Sequence, residues 1–225
     1  MTRPEALFPL FAEMETLPGV GPKAAEAFKA LGVERPKDLL YVLPHSGVDR
    51  ALRPSVRDVI PPATLTVEVE VGMHVPPRLK GKPYRVHVRD QKLEFQLVFF
   101  HARADYLQKL LPTGQRRLVS GKVELFDGIA QMVHPDHILR LEEAGEIPAY
   151  EPVYPLAAGL TQRVVAKAVA GALTRLPVMA EWIDGGLKAR EGWPDWAAAL
   201  QAVHAPDGSA ALAMTHPARQ RLAYD

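Results

Sequence analysis

The side chains best suited to hold a ligand cluster in the middle of the chain. Phe99 and Phe100 are followed by Arg103 and Tyr106. Rings that stack on unpaired bases, beside cations that hold the backbone, are the usual means of single-strand binding. Successive strand residues face opposite sides, so Phe99 and Phe100 cannot both enter one core. One of the two must point outward, either to meet bases or to pack beneath a neighbouring helix. Upstream, Arg78, Lys80, Lys82, Arg85, Arg89 and Lys92 face a single acid, Asp90, which makes a local basic patch.

Two further constellations could bind ligands. Gly19-Val20-Gly21 precedes Pro22 and Lys23 at the start of a helical pattern, and free backbone N–H groups there could meet a phosphate. The alternative is a tight turn between two packed helices. His134-Pro135-Asp136-His137 offers two imidazoles and a carboxylate without a further ligand cluster, which reads as a strand-end turn rather than a metal site. No phosphate-loop, nucleophile-elbow, zinc-protease or dinucleotide-binding motif is present, so neither a catalytic residue nor a metal ligand is assigned.

The elements that position these residues follow from periodicity. Leu65, Val67, Val69 and Val71 alternate with polar residues, as do Tyr84, Val86 and Val88, and a third strand runs from Leu93 to Phe100. Tyr106, Leu107, Leu110 and Leu111 recur at helical spacing before Pro112-Thr113-Gly114. Strands from Arg117 and from Ile129 flank the hairpin signal Asp127-Gly128. Five short strands with a helix between the third and fourth predict an OB-fold barrel, an architecture that commonly binds oligonucleotides, with another small barrel as the alternative. The fold class is therefore α+β, with the barrel over 63–142, a helical preface with a helix-hairpin-helix-like turn over 1–62, and a helical connector over 143–225. Pro61-Pro62 and the proline-rich stretch 145–155 mark the boundaries. Trp182, Trp193 and Trp196 of the connector are assigned to packing.

Composition is that of an ordinary globular chain, with 48% hydrophobic and 24% charged residues, and the net charge is +1. That balance hides a division. Basic and acidic residues number 8 and 8 over 1–63, 12 and 8 over 64–141, and 7 and 10 over 142–225, so the barrel carries +4 and the tail −3. The absence of cysteine excludes disulfides and thiol chemistry. No apolar run approaches about 18 residues and no secretory leader is visible, so a cytoplasmic protein without membrane contact is expected.

Taken in order, Leu17-Pro-Gly-Val-Gly-Pro-Lys, Asp38-Leu-Leu, Leu43-Pro with Asp49-Arg50, Phe99-Phe100, Gly121-Lys-Val, Gln131-Met-Val-His-Pro, Val153-Tyr-Pro-Leu with Gly159-Leu160, and Arg221-Leu-Ala-Tyr resemble the RecG family of bacterial ATP-dependent DNA helicases. The resemblance covers nearly the whole chain. It implies an amino-terminal region in which an OB-fold wedge separates strands at replication forks and Holliday junctions, in DNA repair and recombination. ATP and Mg would belong to motor domains that begin near Arg221 and continue past Asp225, and this chain itself would need no cofactor. Phe100 and Tyr106 match the family's base-stacking positions. Gly47 stands where members often carry a tyrosine, and His101 where an asparagine is usual.

These readings converge on a DNA-binding wedge. Phe100 and Tyr106 are its candidates for base stacking. Arg78, Lys80, Lys82, Arg85 and Arg103 are those for phosphate contacts, with Gly19, Gly21 and Lys23 as a second phosphate contact. Expected partners are branched or single-stranded DNA and the motor domains of the same polypeptide. The rival reading is a protein-interaction module that docks on a single-strand-binding protein or on the chain's own motors, since an OB-fold does not fix function.

Overall fold

Alternation with a period of two builds the centre of the molecule. Leu65, Val67, Val69 and Val71 are buried, whereas Glu68 and Glu70 between them reach the outer face. A computed structural model describes residues 4–79 and 81–225. Along the chain lie α1 (Pro22–Lys29), α2 (Pro36–Leu39), β1 (Ser46–Asp49), β2 (Leu52–Arg53), β3 (Ala63–Val75), β4 (Tyr84–Arg89), β5 (Glu94–Phe99), α3 (Ala104–Leu110), β6 (Arg116–Phe126), β7 (Ile129–Val133), β8 (His137–Leu139), β9 (Tyr150–Val153), α4 (Gln162–Leu173), α5 (Gly185–Glu191), α6 (Trp196–His204) and α7 (Pro217–Tyr224).

The sheet order β3-β4-β5-β7-β6, closed by pairing of β6 with β3, makes a five-stranded barrel. β5 and β7 run parallel and the other neighbours antiparallel. This is the expected OB-fold, with α3 inserted between its third and fourth strands. Asp127 and Gly128 both adopt positive φ, as a two-residue hairpin of this handedness requires. Short strands β2 and β8 extend the sheet beside β3 and β6. Phe95, Leu97, Phe99, Val119, Val123 and Met132 fill the barrel, and α3 adds Leu107 with Leu111 just beyond its end. His74 Nε2 donates to the carbonyl of Leu111 at 2.8 Å, so its Nδ1 is the acceptor for Tyr84 Oη at 3.0 Å. One imidazole thereby ties β3 and β4 to the end of α3.

The chain divides into two units, Asp49–Glu151 and the combination of Met1–Val48 with Pro152–Asp225. The sequence-based segments 1–62, 63–142 and 143–225 differ from this division. The preface and the connector share one core, in which Phe28, Leu39 and Leu40 pack with Val165, Val169, Leu200 and Val203. Neither set of short amphipathic helices could cover its apolar face alone. The leading arm of the glycine turn is a single 3-10 turn, Met14–Thr16, rather than a full helix. Thr161 caps α4 by accepting from the N–H of Val164. The tryptophans pack without being fully buried: Trp196 lies against the core of the helical unit and 5.6 Å from the Trp182 ring, and Trp193 is 5.1 Å from the Tyr224 ring. Trp182 is 53% exposed and lies 5.5 Å from the Arg221 guanidinium, and Trp193 and Trp196 are half-buried. Among the described residues no helix is long and apolar enough to cross a membrane.

Arg221 is the largest fully buried side chain. Its guanidinium meets Glu181 at 2.8 Å and Asp225 at 2.9 Å, and donates to the carbonyl of Pro194 at 3.0 Å. The hydrogen bond from Arg221 holds the Glu181 carboxyl at about 2, down from 4.5. A depressed carboxyl contributes stability above its unfolded pKa and loses it as the pH falls. The helical unit should therefore hold its full stability above about pH 4.5 and lose this contribution between there and about pH 2. Urea unfolding across that window should show the loss in the native chain and a flatter profile in Glu181→Gln.

Candidate nucleic-acid interface

The site is built at one end of the barrel, where β4 begins and β5 stops. Tyr84 pairs with Phe99 across the two strands, and both rings enter the core. Phe99 is 7% exposed and Phe100 41%, so Phe100 is the outward member of the pair. The next residue, His101, has φ +57°, a left-handed turn that an L-residue seldom adopts and that swings the chain away from the sheet. Tyr106, on the first turn of α3, is 59% exposed. Phe100, Arg103 and Tyr106 line one groove of about 620 Å³ together with His101, Lys109 and His134.

His134 is the support beneath Phe100. The backbone N–H of Phe100 donates to His134 Nε2 at 3.1 Å, and the imidazole lies 6.0 Å from the rings of both Phe99 and Phe100. His134 itself has φ +47° and donates its backbone N–H to Val98 at 2.9 Å. The Pro135 turn lies close over β6 because residue 121 is glycine. A Cβ there would stand 2.9 Å from Met132 Sδ and 3.1 Å from Pro135 Cα. Asp136 meets the buried Arg50 guanidinium at 2.9 Å, and Arg50 also meets Glu151 at 2.5 Å and donates to Ser120 Oγ at 3.2 Å. The His134-Pro-Asp-His137 stretch is thus a turn that holds Phe100. Among the described residues no group of three or more His, Asp or Glu side chains could hold a metal.

The predicted cations do not all converge. Lys82 lines a smaller groove of about 220 Å³ that shares Phe99, His101 and Ala102 with the first. Arg78 is exposed in the loop before β4, and Arg85 is half-buried on the outer face of β4, opposite Val98. All three lie at the Phe100 end. Arg89 pairs with Glu94 in register, at the far end, so the patch read from sequence splits along β4. Asp90, the acid of that patch, is buried and accepts backbone N–H groups from Val56, Lys92 and Leu93 at 2.8–2.9 Å. Arg103 is forked onto Asp105, at 2.8 and 3.2 Å, in an exposed pair that a phosphate could displace at small cost. Lys80 lies outside the described residues.

Gly19, Gly21 and Lys23 belong to the helical unit. Gly19 has φ +81°, and a Cβ there would come within 3.1 Å of the Lys167 stem. Val20 is buried, so the turn packs against its own unit, while Gly21 caps α1 and Lys23 is exposed. Sequence reasoning missed His134 and Lys109. The helical spacing from Tyr106 to Lys109 carried the signal for the second, whereas nothing local places His134 under Phe100.

A family model described as the RecG wedge domain matches residues 13–176. The chain belongs to the RecG wedge-domain family. It is similar to the ATP-dependent DNA helicase RecG of Pasteurella multocida, with 26% identity over 220 residues, covering 94% of this chain and 31% of the relative. The Mycobacterium leprae RecG is 26% identical over 239 residues, covering 92% and 32%. The chain thus spans about a third of the length of the curated relatives it matches. A solved structure of RecG bound to a three-way DNA junction superposes with a TM-score of 0.77 at 22% identity, over 95% of this chain and 29% of that one. This likeness supports the fold of the RecG wedge.

The support beneath Phe100 is open to test through Arg50. Asp136→Asn with Glu151→Gln would leave the buried Arg50 cation with neutral partners only. Urea unfolding should then show a loss of about 3 kcal/mol, the cost of an uncompensated buried charge.

Proposed function

We propose that this chain is the DNA-binding wedge region of a fork-remodelling, ATP-dependent DNA helicase, and that it holds branched DNA while motor domains supply ATP hydrolysis with Mg. The observation that carries this reading is the shared groove. Two exposed rings, Phe100 and Tyr106, stand with Arg103 and Lys109 at one end of an OB barrel in a RecG-family chain. Parting bases stack on the two rings, and Arg78, Lys80, Lys82, Arg85 and Arg103 hold phosphates on either side. Arg103 exchanges Asp105 for a phosphate when DNA arrives. The Gly19-Val20-Gly21 turn with Lys23 is a secondary phosphate contact. Replication forks and Holliday junctions are the substrates this arrangement suits, in repair and recombination.

A second reading rests on a separate observation. Leu125, Phe126 and Ile129 at the β6–β7 hairpin tip are each about half exposed or more, an apolar group that no base-stacking role requires. This favours docking of the tip on a protein surface, such as the motor domains of the same polypeptide or a single-strand-binding protein.

The primary reading is tested by fluorescence anisotropy on a forked DNA, a blunt duplex and a single strand. The native chain should bind the fork tightest, with affinity falling as salt rises. Phe100→Ala with Tyr106→Ala should cost about 1–3 kcal/mol per lost stack on the fork and little on the duplex. Unchanged fork affinity in a folded double variant would refute the stacking assignment. Phe126→Ser should leave all three affinities as they are.

A further inference from the structure

The stacking groove does not end at Tyr106. Lys109 sits three residues further along α3, so its side chain leaves the same helix face. It lines both the 620 Å³ groove and a second one of about 600 Å³, walled by Gln115, Arg116 and Arg117 on one side and Arg140 and Glu142 on the other. Four cations there face one carboxylate.

Their charges are unequally committed. Arg116 meets Glu68 at 2.8 Å. Arg117 is buried, and its guanidinium donates to the Leu110 carbonyl at 3.0 Å, the Arg116 carbonyl at 2.9 Å and Gln115 Oε1 at 2.8 Å. All three acceptors are neutral, so Arg117 fixes the end of α3 against β6 while its charge stays unbalanced. Lys109 and Arg140 are exposed, and neither forms an ion pair among the described residues. Walls that hold a buried, uncompensated guanidinium and two free cations concentrate positive potential inside the groove. A polyanion of regular charge spacing is the ligand that satisfies this.

We propose that the second groove holds the phosphodiester backbone of the same strand whose bases stack on Phe100 and Tyr106, with Lys109 as the shared contact and Arg140 as the far one. This rests on the stacking reading and extends it. The strand passes from rings to cations at Lys109 and runs along the end of α3 toward β8. Recognition is then longer than the branch point, and affinity depends on how many unpaired nucleotides follow it.

The test pairs Lys109→Gln/Arg140→Gln with Phe100→Ala/Tyr106→Ala, each checked for folding by circular dichroism, on fluorescent forks whose unpaired tails are lengthened stepwise. The native chain should gain affinity with tail length and then level off. The Lys109/Arg140 variant should lose that gain, binding long-tailed forks no more tightly than short-tailed ones. Two lost single-strand phosphate contacts should flatten the log–log salt slope by about 1.4, which is about 25-fold in affinity at 0.1 M salt relative to 1 M. If this variant keeps the native slope and tail dependence while the ring variant weakens, the extension is overturned and the stacking reading stands. If both variants bind as the native chain does, both fall.

Discussion

β-strand geometry allows only one of two successive rings into a barrel, and the interface depends on how that constraint is resolved at Phe99 and Phe100. Phe99 completes the core beside Tyr84, so Phe100 must leave it. An expelled ring would normally collapse onto the nearest apolar surface. Here its backbone N–H is held by His134, whose own turn is fixed by Asp136 on the buried Arg50. The ring is thereby presented to solvent by a hydrogen-bonded scaffold made of the β7–β8 turn and the segment between β1 and β2. Preorganisation of this kind lowers the ordering cost of binding.

The remaining parts of the barrel end follow from that arrangement. With the chain turned at His101, α3 starts where Tyr106 can share the groove with Phe100 and where Lys109 falls on the same face. His74 and Arg117 fasten the other end of α3, one to β3 and the other to β6. The helix is too short to be stable alone, so these two side chains and the burial of Leu107 decide where its exposed face points.

Much of this was legible in the sequence, for physical reasons that differ by region. Alternation announced β4 and much of β3, where buried residues such as Val86 and Val69 sit between more exposed ones. By contrast, β6 is buried on both faces from Arg117 to Gly121 and was marked by the Asp127-Gly128 turn, which few other dipeptides could make. The order in which they pair is not periodic information, and only the position of α3 pointed to the OB-fold. Phe100 and Tyr106 were visible as candidates, but choosing Phe100 over Phe99 needed the register with Tyr84. The basic stretch from Arg78 to Lys92 read as one patch because sequence proximity ignores strand length; four residues along β4 carry Arg89 about 13 Å from Arg85. The union of preface and connector was hidden entirely. Phe28 and Val169 lie far apart in the chain, and short amphipathic helices show an apolar face without showing what covers it.

In the proposed complex, unpaired bases at a branch meet Phe100 and Tyr106. Photo-crosslinking tests this placement most directly, with 5-iododeoxyuridine placed either at the first unpaired position of a fork or inside its duplex arm, and the adducts located by mass spectrometry. Adducts are expected on Phe100 and Tyr106 from the branch position and none on either residue from the duplex position. Adducts concentrated on Phe126 of the hairpin tip, or equal labelling of the two rings from both positions, would contradict this placement.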